Sequence, residues 1–384
     1  MRTAVIGAIL LVLGAIAAAA TGMPVSDLGT LAGRVVPILV FVVAITVVAE
    51  LADAAGVFRR LAAGAARLGR GRTLVLFLLV ALLAAASSAL LSLDTAAVLL
   101  TPVVVLLARQ AGLPPLPFAL TTVWLANTAS LLLPVSNLTN LLATDLLGLT
   151  PLEFAARMVL PELVAVAIPV LVVFLVFRRT LLTRYSATPA APAPDRVLFV
   201  ASAVVVAVLV PFLVSGLPVA IPATVAALVL AAFFLVRRRA ALTLRLIPWQ
   251  LVVFAAGLFL VVEVAHDLGL SLVLGAVAGT GEDPLALLRL SGSAAVGANL
   301  LDNLPAYLAF EPVADSPLRL LALLIGVNAG PLITPWASLA TLLWHSRLVS
   351  LGIELSWTRY ALLGLSVAPL VVVGAVLALV VVPF

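Results

Sequence analysis

Long apolar runs separated by short polar segments dominate the chain. Residues 74–93, 197–214 and 362–382 contain no charged side chain. Each run approaches or reaches about 20 residues, the length at which a helix crosses the hydrocarbon core of a bilayer. The runs do not alternate apolar with polar positions, as the strands of a membrane barrel do. The pattern therefore predicts an all-α polytopic membrane protein.

Composition agrees with that prediction and removes other classes. Apolar residues make up 65% of the 384 residues and charged residues 10%, which is more apolar surface than a soluble domain can bury. The net charge of +5 comes from arginines in short loops, so we expect a lipid bilayer and no nucleic acid as partner. The absence of cysteine excludes a disulfide and a thiolate metal site. We expect no metal and no cofactor.

The arginines predict the topology, because cytoplasmic loops carry excess positive charge. When the apolar runs are threaded across a bilayer, all arginines fall on one side except Arg34, Arg157, Arg289 and Arg319. The N-terminus is then cytoplasmic and the C-terminus outside. The apolar run after Arg2 fits a cleaved signal peptide or a retained first helix equally well.

Two features of the first half differ from simple membrane crossings. Two apolar stretches are joined only by residues 93–95, so we expect a re-entrant hairpin whose tip lies near the middle of the membrane. The next stretch, residues 117–147, is too long for one regular helix, and Pro134 interrupts it. We expect a broken helix whose second part is capped by Ser136 and Asn137.

The second half contains the same parts in the same order. Residues 328–343 align without a gap on residues 127–142, and residues 301–305 stand where the first hairpin tip stood. Under the arginine topology the second copy runs in the opposite direction, as in transporters with a central site. We therefore expect two inverted repeats, each with a re-entrant hairpin and a broken transmembrane helix. The predicted parts of this single domain, 1–384, are an N-terminal helix at 1–30, repeat 1 at 31–186, a linker with two connecting helices at 187–245, and repeat 2 at 246–384.

Polar residues at the hairpin tips and helix breaks form the candidate binding site. They would meet near the membrane midplane, where half-helix ends expose partly charged backbone groups. The set is rich in hydroxyls and amides, with two carboxylates and no arginine, which suits a small neutral polyhydroxy solute or a cation better than a multivalent anion. The candidates are Asp94, Thr95, Ser136, Asn137, Thr139 and Asn140 in the first half, and Asp302, Asn303, Asn328, Thr334, Ser338 and Thr341 in the second.

Structural roles compete with binding for these residues. A hydroxyl in a membrane helix often bonds back to its own helix, and Asn137 or Asn303 could simply satisfy broken backbone. The two carboxylates differ, since a charge at the bilayer centre costs about 2.5–3.5 kcal/mol on insertion scales. We hypothesise that Asp94 or Asp302 binds and releases a proton during transport.

Several motifs resemble the arsenite permeases of the ArsB type, in the larger ion-transporter superfamily. They lie at residues 126–130, 135–140, 248–250, 303–305, 330–335 and 338–344. The resemblance runs from about Thr21 to the C-terminus. It implies export of arsenite and antimonite across the bacterial inner (plasma) membrane, driven by proton exchange or by a partner ATPase.

The chain also differs from that family at places that matter for ions. The family usually has Asn-Asp at the first hairpin tip and Asn-Asn at the second, where this chain has Leu93-Asp94 and Asp302-Asn303. These changes keep open a proton- or sodium-coupled carrier of another oxyanion or organic acid. The chain has no H-E-x-x-H, G-x-S-x-G or phosphate-binding loop, so we expect neither an enzyme nor a pump by itself. A homodimer and a partner ATPase are left open.

Overall fold

The computed structural model of the chain describes residues 2–22, 24–186 and 195–382. Within these ranges it contains seventeen α-helices, and its only β-structure is an isolated bridge between Arg72 and Arg184. Eight helices are long and apolar enough to cross a membrane. The prediction of an all-α polytopic fold is confirmed. Of the linker predicted at 187–195, residues 187–194 lie outside the described residues.

A series of seven helices occurs twice, after one leading helix and with two connecting helices between the copies. The leading helix is α1 (Arg2–Thr21). The first series is α2 (Val25–Ala54), α3 (Val57–Leu68), α4 (Thr73–Leu91), α5 (Leu93–Gln110), α6 (Leu116–Thr128), α7 (Leu138–Leu147) and α8 (Pro151–Leu181). The connecting helices are α9 (Arg196–Leu213) and α10 (Ala220–Arg237). The second series is α11 (Trp249–Asp267), α12 (Leu270–Ala278), α13 (Pro284–Leu300), α14 (Asn303–Phe310), α15 (Pro317–Ala329), α16 (Leu339–Ser350) and α17 (Trp357–Val381).

Both predicted hairpins and both helix breaks are present. Helices α4 and α5 turn back on each other at Ser92, and α13 and α14 do so at residues 301–302. The chain leaves helical geometry between α6 and α7, at residues 129–137, and again between α15 and α16, at residues 330–338. We call these segments break 1 and break 2. Each break carries a proline inside it, which removes a backbone donor and disfavours a continuous helix.

The two hairpins enter the bundle from opposite ends. At the base of the first, Arg109 donates a hydrogen bond to the carbonyl oxygen of Leu351 at 2.7 Å. At the base of the second, Glu311 pairs with Arg34 at 2.6 Å. Arg34 lies in the first third of α2. Arg238 contacts the carbonyl oxygen of Ala54 at the other end of that helix, where Asp53 lies near Arg347, one turn before Leu351. The repeats are therefore inverted, and we call the end that holds Arg109 and Arg238 the arginine-rich end.

Helix α1 packs closely against α11 in the second series, and the two helices run parallel. A Cβ added at Gly7 would lie 2.6 Å from the backbone nitrogen of Phe254. One added at Gly257 would lie 2.6 Å from the backbone nitrogen of Leu11. Small residues let membrane helices approach at backbone distance, so these two glycines fix the contact. The next helix, α2, begins at Val25, earlier than the predicted start of repeat 1 at residue 31.

Candidate functional site

The hairpin tips and break 1 surround a central cavity of about 260 Å³. Its walls are mostly apolar, with a small number of polar groups. The polar side chains that line it are Thr46, Ser92, Asp94, Asn137, Asp302 and Asn303, and Trp336 of break 2 also lines it. A mostly apolar pocket with a few convergent polar groups is the usual form of a small-molecule site.

The tip of the first hairpin has a strained backbone. Ser92 has φ of 117°, which side-chain-bearing residues rarely adopt. Its hydroxyl donates to Thr95 Oγ1 at 3.0 Å and accepts from the Thr95 backbone nitrogen, which caps α5. Asp94 follows in the first turn, and its Oδ1 is buried without a hydrogen-bond partner among the described residues. Such strain is typical of functional sites, and the free oxygen is available to a bound ion or solute.

The tip of the second hairpin presents a carboxylate and an amide from the start of α14. Asp302 Oδ1 accepts a hydrogen bond from the backbone nitrogen of Leu304 at 3.3 Å, and Asn303 Oδ1 accepts from the same nitrogen at 2.8 Å. Both side chains line the central cavity opposite Asp94 and Asn137. The cavity therefore has a carboxylate from each half of the molecule.

Asn328, at the end of α15, joins break 1 to the second series. Its Oδ1 accepts hydrogen bonds from Asn137 Nδ2 at 2.8 Å and from Thr139 Oγ1 at 2.9 Å. Its Nδ2 donates to Asn140 Oδ1 at 2.8 Å. All four side chains are buried, so this bonded cluster holds the two halves together directly behind the cavity.

Break 2 is held by the second hairpin. Asn299, near the end of α13, accepts at its Oδ1 from the backbone nitrogens of Ile333 and Thr334, both at 3.1 Å. Its Nδ2 donates to the carbonyl oxygen of Gly330 at 2.9 Å, and Thr334 Oγ1 donates to the carbonyl oxygen of Asn299 at 2.6 Å. The second hairpin and break 2 therefore form one unit.

The structure brings together some of the predicted site residues and separates others. Asp94, Asn137, Asp302 and Asn303 line the central cavity, and Thr95 lines a wider neighbouring one. The other candidates lie behind these walls or within the helix breaks. They are Ser136, Thr139, Asn140, Asn328, Thr334, Ser338 and Thr341.

One predicted local role is wrong. Ser136 does not cap α7, because its hydroxyl donates to the carbonyl oxygens of Ser130 and Leu133 inside break 1. Asn137 alone occupies the cap position and accepts from the backbone nitrogen of Thr139 at 3.4 Å. The residue next to the cap is turned inward, where it satisfies carbonyls that the break leaves free.

Three residues of the region were not expected from the sequence. Ser92 caps the first hairpin tip, Asn299 binds break 2, and Glu162 of α8 binds break 1. Glu162 carried a readable signal, because it is an acid in a long apolar run with prolines nearby. Nothing in the sequence distinguishes Ser92 and Asn299 from the other small polar residues of membrane helices.

A wider cavity of about 600 Å³ adjoins the central one towards the arginine-rich end. The two cavities share Asp94 and Thr46, and the wider one also reaches Glu50 and Arg245. At the opposite end of the bundle the ion pair between Arg34 and Glu311 joins α2 to the base of the second hairpin. The central cavity is thus extended towards the arginine-rich end, opposite the pair of Arg34 and Glu311.

Inverted repeats, two hairpins, two helix breaks and a central cavity with a few polar groups define a multi-pass membrane transporter. The family model described as "CitMHS: Citrate transporter" matches residues 2–319. The "Arsenical pump membrane protein" of Escherichia coli K12 is 33% identical over 344 residues, which cover 83% of this chain and 80% of the relative. A second relative, the "Putative arsenical pump membrane protein" of Bacillus subtilis 168, is 25% identical over an alignment of 390 positions, gaps included. The chain therefore belongs to the ion-transporter family of the citrate transporter model, and it is related to the arsenical pump membrane proteins.

A solved structure shows the same fold. The YdaH transporter of Alcanivorax borkumensis, whose crystal structure is described as having an unusual topology, superposes with a TM-score of 0.60. The match covers 98% of this chain and 96% of that one at 16% sequence identity. At this level of identity the match supports the architecture alone.

Proposed function

We propose that this protein exports arsenite and antimonite from a bacterial cell across the plasma membrane, in exchange for protons and by alternating access. The central cavity carries the proposal. Neutral arsenite is a small solute with three hydroxyl groups, and the cavity offers carboxylate and amide groups from Asp94, Asn137, Asp302 and Asn303. The described residues that line it include no arginine, as expected for a neutral cargo rather than a multivalent anion.

The direction of cargo movement in this proposal depends on the topology. With the N-terminus cytoplasmic, the arginine-rich end faces the cell interior, and the wider cavity that reaches Glu50 is the route by which cargo enters. Asp94 and Asp302 then bind cargo and exchange protons, while repeats 1 and 2 at 31–186 and 246–384 rearrange around them. The relatives named as arsenical pump membrane proteins support this cargo.

Cellular efflux tests the cargo. A bacterium without its own arsenic exporters is given the wild type or a variant that combines Asp94→Asn with Asp302→Asn. A matched control combines Asp267→Asn with Glu282→Gln, two exposed acids outside the cavity. We expect the wild type and the control to lower cellular arsenite, and the cavity variant to lose this effect at equal membrane abundance. Unchanged arsenite in wild-type cells would overturn the proposed cargo.

Purified protein in liposomes tests the coupling. An imposed pH gradient without ATP should drive arsenite movement if the chain acts alone as a proton exchanger. Movement only after a partner ATPase is added would refute proton exchange by the chain itself. The same liposomes show whether a homodimer is needed, if activity is followed while the protein-to-lipid ratio falls.

A second cargo class is favoured by one observation, the match to a model described as a citrate transporter. A proton- or sodium-coupled carrier of an organic acid or another oxyanion would need a cationic group near the cargo. Arg245 is the arginine that lines the wider cavity. Citrate-stimulated proton movement that is lost in Arg245→Gln, with no response to arsenite, would favour this alternative.

A further inference from the structure

Glu162 is a carboxylate that the central cavity does not use. It lies in the membrane-spanning helix α8, only 6% of its surface is exposed, and it faces break 1. Its Oε2 accepts a hydrogen bond from the backbone nitrogen of Leu131 at 3.1 Å. Ionisable groups inside membrane spans are expensive, and where they occur they are most often part of a transport pathway or proton relay.

The hydrogen bond to Leu131 connects Glu162, through one peptide group, to the bonded cluster behind the cavity. The N–H of Leu131 and the carbonyl of Ser130 belong to the same peptide unit. That carbonyl accepts from Asn140 Nδ2 and from Ser136 Oγ, both at 2.6 Å. Asn140 in turn accepts from Asn328 at 2.8 Å.

Asn328 completes the connection by accepting from Asn137, which lines the central cavity. A continuous chain of hydrogen bonds therefore leads from the Glu162 carboxylate to the cavity wall. It passes through Asn328 of the second repeat and returns to the first. Hydrogen bonds in such chains polarise one another, so a charge at one end strengthens or weakens acceptors further along. A hydrogen bond to an ionised carboxylate is also about twice as strong as one to a neutral group.

No charged side chain stands opposite Glu162 in the described structure. Helices α4 and α6, which pack against α8, carry no charged or titratable side chain. Arg359 and Tyr360 lie in the first turn of α17, and Arg319 lies in the first turn of α15. The other charged side chains of α8 are Glu153, Arg157, Arg178 and Arg179, and Glu162 forms no salt bridge with any of these groups within the described residues. A proton is therefore the simplest counter-charge that this carboxylate can take.

We propose that Glu162 is a proton-binding site of the transport cycle, outside the cargo cavity, whose protonation sets the hydrogen-bonded chain that ends at Asn137. The carboxylate takes up one proton from one side of the membrane and later releases it to the other side, with no bond to the cargo. Loss of the negative charge weakens the bond to Leu131, which loosens break 1. Glu162 is thus a positioning residue that acts through Asn140 and Asn328. This inference rests on the proposed proton exchange.

The test uses Glu162→Gln, because the glutamine oxygen still accepts from Leu131 but the group no longer titrates. Glu153→Gln on the same helix is the matched control, since Glu153 is an exposed member of a capping box that glutamine preserves. Wild type and variants are placed in liposomes, and two quantities are measured. One is arsenite accumulation driven by a pH gradient, and the other is arsenite exchange without a gradient, both over a range of pH.

We expect Glu162→Gln to lower gradient-driven accumulation about tenfold and to flatten its pH dependence, while gradient-free exchange stays within about twofold. Glu153→Gln should match the wild type in both. A Glu162→Gln profile equal to the wild type would reduce Glu162 to a structural acceptor and overturn the inference.

Two further outcomes are decisive. A wild type that moves no arsenite overturns the proposed function, and this inference with it. If Glu162→Gln does not insert stably, Glu162→Asp, which keeps a titratable group, replaces it. That variant must retain gradient-driven transport with a shifted pH profile, and an unshifted profile would count against the inference.

Discussion

The two helix breaks occupy equivalent places in the two repeats, yet their polar side chains are bonded differently. Behind break 1, Asn328 is joined to Asn137 and Asn140 by hydrogen bonds of 2.8 Å. The equivalent residues around break 2 are Asn127, Ser338 and Thr341. Asn127 and Ser338 each have a buried side-chain oxygen without a hydrogen-bond partner in the described structure, and the Thr341 hydroxyl lies near Tyr360 instead. One cluster is closed and its counterpart is open.

The two repeats have related sequences at these positions, but their hydrogen bonds differ. Asn127 bonds within its own helix to the carbonyl oxygen of Val123 at 3.0 Å, whereas Asn328 reaches across to the other repeat. An unpaired buried polar group costs about 1–3 kcal/mol, so the open cluster is a store of unfavourable free energy. If the repeats exchange arrangements during the proposed cycle, the open cluster closes as the closed one opens.

The largest expected effect comes from adding a methyl group where α17 packs against break 2. A Cβ at Gly364 of α17 would lie 1.9 Å from the carbonyl oxygen of Leu332. Gly364→Ala should therefore displace break 2, lower the free energy of unfolding by about 3 kcal/mol and abolish transport. Thermal unfolding in detergent measures the first effect. Gly292→Ala is the control, because the space around Gly292 is open, and an equal loss of stability there would contradict the explanation.

The closed cluster can be opened next. Asn328→Leu leaves Asn137, Thr139 and Asn140 without their partner, and we expect a loss of about 2–3 kcal/mol from these buried groups. Asn127→Leu removes one bond within a helix together with an unpaired buried oxygen, so it should cost less than about 1 kcal/mol. Denaturation of the two variants side by side tests the asymmetry, and equal losses would mean that the clusters are not different in strength.

Substitutions at Asn299 test how strongly the second hairpin holds break 2. Asn299→Asp keeps the acceptor for Ile333 and Thr334 but loses the donor to Gly330, whereas Asn299→Ala loses both. We expect the alanine variant to lose about 2 kcal/mol. The aspartate variant should lose at least as much, because its buried carboxylate has an oxygen against the carbonyl oxygens of Ala295 and Gly330. An aspartate variant as stable as the wild type would show that the donated hydrogen bonds contribute little.

No loss of stability is expected at Ser338. Its buried hydroxyl has no partner, so Ser338→Ala should raise the free energy of unfolding, by up to about 1 kcal/mol. Ser136→Ala, which removes three hydrogen bonds, should lower it by about 1 kcal/mol. Transport is the sharper measurement, because a hydroxyl that pairs only in the exchanged arrangement would slow the cycle when removed. Full transport by Ser338→Ala would argue against that exchange.

The sequence predicted the architecture well because backbone chemistry decides it. Pro134 and Pro335 each remove a backbone donor within a cluster of small polar residues, whereas six other prolines of the described chain lie inside continuous helices. Apolar stretches without a connecting loop around Asp94 and Asp302 favour hairpins. These signals are local, so one chain is enough to read them. Which residues finally bind the cargo stays a prediction.

The bonding behind the cavity could not be read in the same way. Asn127 and Asn328 stand at equivalent positions and looked equally able to bridge the repeats, yet only Asn328 does so. The choice depends on how the two halves pack against each other, which is a property of the whole bundle. Ser136 failed as a predicted cap for a related reason, since Asn137 beside it could take the same position.

The parallel contact between α1 and α11 has a consequence for how the protein is made. Gly7 and Gly257 meet at backbone distance, yet most of the chain separates them along the sequence. During synthesis α1 leaves the ribosome first and must wait in the membrane until α11 is inserted. The first helix is thus among the last to find its place, and an early truncation would leave its glycine face exposed to lipid.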